Sequence, residues 1–263
     1  MSKILKKWIL LCVIALVLLL NYLTETFPIN WRNDSTSCDL KVLCYNVRSL
    51  DSLYGQNQLG IAETILKESP DLVFLCEFHL YKSRQLDSIF TKKYRRYYKS
   101  GTLGVFYSKY EMDNITEVFS SWYGRRHSQT VKTHVFRGKD TFTVIGCHLS
   151  SSHHHFKEGY LRRRKEADTL YEHIRNEHNP VIVLGDLNDI PGSYTLRKIM
   201  RAGLSNVWWE GGCGYGTTFH DGWLRLRLDH ILYPKDKLKL ESVKVIDSDL
   251  SDHNAVIANF SFI

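Results

Sequence analysis

Residues 181–189, VIVLGDLND, constrain the fold more than any other stretch of the chain. Val181, Ile182, Val183 and Leu184 form an unbroken apolar run, which reads as a strand buried on both faces. Gly185 ends that run, and Asp186 and Asn188 follow at a spacing of two. In extended backbone this spacing puts both side chains on one face. A carboxylate and an amide presented where a buried strand emerges suit the handling of water or of a metal, because ligands gather at strand ends in open α/β sheets. The same residues also suit an Asp-Asn turn that caps the next helix.

Other strand-like runs end in the same way. Residues 40–45 (LKVLCY) lead to Asn46, residues 71–76 (DLVFLC) to Glu77, and residues 141–147 (TFTVIGC) to His148. Residues 227–233 (RLDHILY) carry Asp229 and His230, and Ser251-Asp252-His253 opens a last strand over 254–262. Further strands are expected over 103–107, 131–136 and 243–246. Helices are expected over 57–68 (Asn57 as N-cap, stopped by Pro70), 83–90, 158–178 and 193–200 (Ser193 as N-cap). In the third of these, Leu161, Ala167, Leu170, Tyr171 and Ile174 form the apolar side. No internal repeat and no second composition regime appears, so residues 38–263 are expected to form one domain.

Convergence of these strand ends would gather carboxylates, histidines and amides in one pocket. Close carboxylates repel and call for a cation, and oxygen-rich sites suit Mg²⁺ or Mn²⁺. Histidines beside such a cation suit phosphate contact or proton transfer. Metal-assisted attack of water on a phosphoester uses these parts.

The N-terminus carries a different signal. Lys3, Lys6 and Lys7 precede an apolar run from Trp8 to Leu20. Residues 1–26 are therefore expected to be an uncleaved signal anchor, a single transmembrane helix with its lysines inside and the rest of the chain outside the cytoplasm. Cleavage would make the protein secreted, but no small-residue cleavage site follows. Residues 27–37 read as a polar linker. The formal net charge is +7; four basic and two acidic groups in residues 1–37 contribute +2 and leave +5 for the remainder. That excess suits phosphate-bearing partners or an anionic surface. Cys44, Cys76 and Cys147 lie in apolar runs as small hydrophobes. Cys38 and Cys213 lie in polar surroundings that would let them pair in an oxidising compartment, and the absence of a C-x-x-C pair argues against a cysteine zinc site.

Taken in order, the motifs CYNVR, PDLVFLCE, VIGCHL, VIVLGDLND, RLDHILY and LSDHNAV resemble the endonuclease/exonuclease/phosphatase superfamily. That group includes deoxyribonuclease, repair nucleases, neutral sphingomyelinases and inositol-polyphosphate phosphatases. The resemblance covers residues 40–263. It implies an α/β (α+β) fold, a four-layer α/β/β/α sandwich of two packed mixed sheets flanked by helices. It implies a Mg²⁺-dependent hydrolase, with Mn²⁺ as an alternative ion. Glu77 would be the principal metal ligand, with Asn46 and Asp252 beside it. Asp186 would orient or deprotonate the attacking water, and Asn188 would hold that water or a phosphate oxygen. His253 would contact the scissile phosphate, Asp229 would hold His253 in its tautomer, and His148 would donate to a phosphate oxygen or assist the leaving group. Arg48 departs from those relatives that carry a carboxylate there; it would contact phosphate or pair with an acidic neighbour.

Several other residues invite a role. Arg163 stands where relatives often carry a substrate-binding arginine, although it also suits an exposed basic helix face. Thr218-Phe219-His220 with Trp223 resembles a segment that lines the substrate cleft, with His220 as a substrate contact, or else a loop packed by its own aromatics. His153, His154 and His155 suit a solvated loop better than a metal site. Arg125, Arg126 and His127 are expected in a loop, where they are candidates to meet substrate. The expected partners are a phosphoester substrate (nucleic acid or a phospholipid head group) and the membrane, with no protein partner indicated. A phosphodiesterase leads; a phosphomonoesterase and a catalytically silent tethered binding protein of the same fold are the alternatives.

Overall fold

The computed structural model describes residues 8, 11–16, 19–20, 23, 26–30, 38–48, 57–123, 126–152 and 156–263. Its elements follow as β1 (Leu40–Asn46), α1 (Gln58–Glu68), β2 (Leu72–Cys76), α2 (Arg84–Phe90), β3 (Arg95–Tyr98), β4 (Val105–Ser108) and β5 (Glu111–Met112). The long hairpin β6 (Thr116–Tyr123) and β7 (Arg126–Arg137) comes next, then β8 (Asp140–His148), α3 (Phe156–Arg175), β9 (Val181–Asp186) and α4 (Tyr194–Met200). The chain closes with β10 (Ser205–Asn206), α5 (Val207–Gly211), β11 (Phe219–Asp221), β12 (Leu224–Leu226), β13 (Asp229–Tyr233), β14 (Leu238–Ile246) and β15 (Ala255–Phe262).

Two mixed sheets form, one in the order β14-β15-β1-β2-β4-β3 and the other β10-β13-β9-β8-β7-β5, with β6 also on β7. The apolar runs explain the layering, because each central strand is buried on both faces. Along β1, Val42 and Cys44 enter the layer between the sheets, while Leu43 and Tyr45 face α1 and α2. Along β9, Ile182 and Leu184 point into the same layer, while Val181 and Val183 pack under α3 and α4. The four-layer α/β/β/α arrangement follows. The sheets approach closely at Gly146, where a Cβ would come within 2.4 Å of the Phe74 ring of the opposite sheet.

Each sheet holds one parallel pair made by a β-α-β unit, β1-α1-β2 in the first and β8-α3-β9 in the second. The carboxyl ends of these pairs carry Asn46 beside Cys76 and His148 beside Asp186. β13 runs antiparallel to β9, which brings Asp229 opposite Asp186.

Some elements differ from expectation. On α3 the buried stripe is Gly159, Arg163, Glu166, Ala167, Leu170 and Ile174, whereas Leu161 is 46% exposed. Leu161 lies off that helical stripe, and Arg163 lies on it, so Arg163 is no exposed basic face. Arg126 and His127, expected in a loop, open β7 opposite Tyr123 and Trp122; Arg125 lies outside the described residues. β3, β5, β6, β10, β11 and β12 were not anticipated, since their residues lack a long apolar run. Asn57 occupies the N-cap of α1 without a side-chain hydrogen bond, whereas Ser193 caps α4 by accepting from Leu196 N. All six cysteines are free.

Among the described residues no helix is long and apolar enough to cross a membrane. Of the anchor expected over 1–26, residues 1–7, 9–10, 17–18, 21–22 and 24–25 lie outside the described residues, as do His153, His154 and His155. Of the linker expected over 27–37, residues 27–30 pack on the domain: Asn30 Nδ2 donates to Trp209 O and Gly212 O, and Ile29 bridges Cys213. Residues 31–37 lie outside the described ones.

Candidate functional site

A cleft of about 950 Å³ opens at the carboxyl ends of the two parallel pairs. Its polar end is lined by Arg48, Glu77, His148, Asp186, Asp252 and His253. Their placement begins with backbone that the sequence makes unusual. Arg48, Glu77 and Asn188 are three of the four non-glycine residues with positive φ among those described, at 41°, 50° and 50°. Left-handed backbone costs a residue with a Cβ roughly 1–2 kcal/mol, so these turns are held by their surroundings. Gly185 (φ 127°) precedes Asp186, and a Cβ there would meet Cys147 O at 2.2 Å. Only glycine lets β9 lie against β8 at that point and deliver Asp186 into the cleft.

Asn46 joins the two principal acids. Its Nδ2 donates to Glu77 Oε1 and to Asp186 Oδ2, both at 3.1 Å, while its Oδ1 accepts from Arg48 N. Asp186 Oδ1 accepts from Asn188 N at 2.8 Å. This bond closes an Asp-Asn turn, so the extended arrangement expected from the spacing of two does not occur. The turn reading and the functional reading hold together, because Asn188 also lines the cleft. Asn188 Nδ2 donates to Leu149 O, tying the turn to the end of β8.

His253 Nδ1 donates to Asp229 Oδ2 at 2.7 Å, which turns Nε2 toward Asp186 Oδ2, 3.8 Å away. Both members of the Asp229–His253 pair are buried. Burial alone would lower the imidazole's pKa; the Asp229 and Asp186 carboxylates outweigh it and lift His253 to about 10. Burial, reinforced by Asp229, raises Asp186 well above the usual carboxylate range, against the pull of His253 and His148. Burial likewise raises Asp252. His148 Nε2 stands 3.4 Å from Glu77 Oε1 and 3.8 Å from Asp186 Oδ2.

The Thr218-Phe219-His220 segment acts by support. Thr218 Oγ1 accepts from Leu228 N and Asp229 N, and the Phe219 ring packs on the His253 ring at 5.0 Å. Phe219 and Asp221 line the cleft, whereas His220 between them does not. The two-residue period of β11 turns His220 to the other face. Trp223, expected beside the cleft, is 91% exposed at the hairpin tip.

Arg48 pairs with Asp252. Asp252 thereby has a side-chain cation beside it, while Asn46 Nδ2 and His148 Nε2 stand between Glu77 and Asp186. One ligand atom each from Glu77, His148 and Asp186 lie within 4.8 Å of one another, as do one each from Asp186, Asp229 and His253. Two carboxylates and an imidazole gathered this closely fit an oxygen-preferring divalent ion. Of the expected ligands, Glu77 belongs to the first of these groups, Asn46 Nδ2 bridges Glu77 and Asp186, and Asp252 faces Arg48.

Arg163 lines the cleft but is buried, donating from Nη1 to Ser150 O and Ser152 Oγ, both at 2.7 Å. Its Nε stands 3.4 Å from Asp189 Oδ2. A residue missed in the sequence is His230, buried behind the site. Its Nδ1 faces Asn206 Nδ2 at 3.2 Å and its Nε2 donates to Asp189 O at 3.1 Å, which requires a neutral ring. Burial and Arg227 hold its pKa down to about 4. Its position next to Asp229 in a doubly buried strand was the available signal.

The whole fold has solved counterparts. D. rerio TDP2 complexed with a single-strand DNA product superposes with a TM-score of 0.71 at 18% identity, over 84% of this chain and 98% of that one. The human nocturnin catalytic domain with bound sulfate gives 0.70 at 17%, over 89% and 96%. A beta toxin of Staphylococcus aureus gives 0.68 at 20%, over 84% and 99%. At these identities the likeness is one of fold. No curated protein matches the sequence closely. The sequence profile of the endonuclease/exonuclease/phosphatase family matches residues 43–253, from the strand ahead of Asn46 to His253 itself, and the chain therefore belongs to that family, whose chemistry is phosphoester hydrolysis.

Proposed function

We propose that the chain is a divalent-metal-dependent phosphodiesterase in which water attacks phosphorus. The observation that supports this reading is the gathering of Glu77, His148, Asp186 and His253 at one end of one cleft, with Asp229 bonded behind His253. Mg²⁺ or Mn²⁺, held by Glu77 and Asp186, would neutralise phosphate oxygens and make phosphorus more electrophilic. Asp186, whose affinity for a proton is raised by burial, orients the water and takes its proton. Asn188 holds the water or a phosphate oxygen. His253, kept protonated by Asp229, donates from Nε2 to the phosphate as charge builds in the transition state. His148 donates to a phosphate oxygen or to the leaving alcohol. Asp252 and Arg48 form a neutral pair at the rim, and Arg163 holds the 150–152 segment in place.

The N-terminal segment is read as an anchor that keeps the domain outside the cytoplasm. Support comes from the lysines ahead of the apolar run and from Leu11, Val13, Ile14, Leu16, Leu19 and Leu20, all of which stand exposed.

The test is hydrolysis of bis(4-nitrophenyl) phosphate and 4-nitrophenyl phosphate by the full-length protein in Mg²⁺ or in EDTA, beside His253→Ala. Diester turnover that stops in EDTA and in the variant is the expected result. Turnover of the monoester alone would make it a phosphomonoesterase. Turnover that survives the substitution would overturn the site.

A further inference from the structure

The cleft does not end at the polar residues. Beyond Asn188 it continues as an apolar arm between three segments. The first turns of α3 supply Phe156 and Tyr160, the turn before α4 supplies Ile190, and the β11–β12 hairpin supplies Leu224 and Leu226. Leu224 and Leu226 stand two apart on β12, so both face the arm, while Arg225 between them is exposed and turned back to Gly222 O. Phe156 is 77% exposed and Ile190 40% exposed, so the apolar lining reaches the mouth. An apolar surface left open in this way, continuous with a reactive end, marks a ligand groove.

The charges of the lining set a second limit. Among the described residues that line it there is no lysine, and the two arginines are both engaged: Arg48 with Asp252, and Arg163 with Ser150 O and Ser152 Oγ. Five acids, Glu77, Asp186, Asp189, Asp221 and Asp252, line the same cleft. A strand of nucleic acid would bring successive phosphates along the groove and needs cations to track them. This cleft has the means to receive one phosphate, at the polar end, with apolar surface next to it.

We infer that the substrate is a single phosphoester attached to a long apolar chain, the chemistry of a phospholipid, with the phosphate at the Glu77–His253 end and the chain in the Phe156–Leu224–Leu226 arm. This inference rests on the phosphodiesterase reading for the polar end. In the reaction the water oxygen bonds to phosphorus, the P–O bond to the leaving alcohol breaks, and that alcohol takes a proton.

The test is calorimetric titration of the full-length protein, in Mg²⁺, with monoalkyl phosphates from methyl to octyl and with oligothymidylates of increasing length. Binding is expected to tighten by roughly two- to fourfold per methylene until the arm is filled, with little gain along the oligothymidylates. Phe156→Ser, at an exposed position, and the double variant L224S/L226S are expected to flatten the alkyl series. An alkyl series flat in the unaltered protein would overturn the inference. So would affinity that grows with oligothymidylate length while the alkyl series stays flat. Turnover of bis(4-nitrophenyl) phosphate by the same preparation separates the two readings: turnover with a flat series removes only the arm, and a steep series without turnover removes only the chemistry.

Discussion

The polar end of the cleft and its apolar arm are built from different parts of the fold. The polar end stands on the termini of β1, β2, β8, β9 and β13, with both sheets behind it. Asn46, Asp186, Asp229 and His253 are each buried and held by at least one hydrogen bond of 3.1 Å or less. The arm stands on the start of one helix, one turn and a hairpin of two three-residue strands, and its outer side chains are open to solvent. Rigid strand ends can hold charges and strained backbone in place, as reacting groups require. Loops that carry apolar side chains change at small cost in stability, which is where specificity is tuned.

Four substitutions or conditions would break or sharpen this contrast. The largest effect is expected at Glu77. Glu77→Gly removes the principal carboxylate and should lower kcat/KM on a soluble diester by about a thousandfold or more. The same change relieves the φ of 50° at that position, so the folded state should gain about 1 kcal/mol in a denaturant titration. A variant both inactive and less stable would show that the turn is not strained.

The loop joining the two regions rests on His230, which accepts from Asn206 and donates to Asp189 O only while neutral. Its folded pKa, about 4, lies below its unfolded value of 6.5. Above pH 6.5 the group contributes no pH dependence. As pH falls from 6.5 toward 4 the unfolded chain takes up the proton first, and stability should be lost on the order of 3 kcal/mol. Denaturation at stepped pH measures that loss, and His230→Gln should show a shallower fall over the same window.

Asp229→Asn keeps the shape of the pair but removes its charge. It is expected to reduce kcat about a hundredfold and to lower the pKa of His253 from about 10. NMR titration of the ring reads the second effect, and an unmoved pKa would sever Asp229 from the role given to it. The smallest effect is expected in the arm, where Phe156→Ser should change stability by no more than about 0.5 kcal/mol. A larger loss would mean that Phe156 supports the fold rather than the ligand.

The two regions also differ in how far they were legible before the fold was known. Asn46, Glu77, His148, Asp186, Asp229 and His253 each stand at the end of, or inside, an apolar run, and the runs announce strands buried on both faces. For Arg163 the sequence leaves a substrate contact and an exposed helix face both open, because a charged triplet on a helix gives no sign of which member turns inward, and the fold buries it. The arm went unread because Phe156, Ile190, Leu224 and Leu226 come from short segments with no sustained period. His220 was set in the cleft, but β11 places Phe219 and Asp221 there instead.

By itself the sequence determined the buried strands and the polar residues at their ends, because hydrophobic period and polar punctuation are properties of single segments, and the resemblance of its ordered motifs implied the family and the layered α/β fold. The tertiary structure alone decided that Glu77, His148 and Asp186 come within reach of one another, that Arg48 pairs with Asp252, that Arg163 and His230 are buried, and that the cleft continues past Asn188 to Phe156, Leu224 and Leu226. Each of those is a contact between segments far apart in the chain, fixed by how two sheets and a hairpin pack, and no local pattern encodes it.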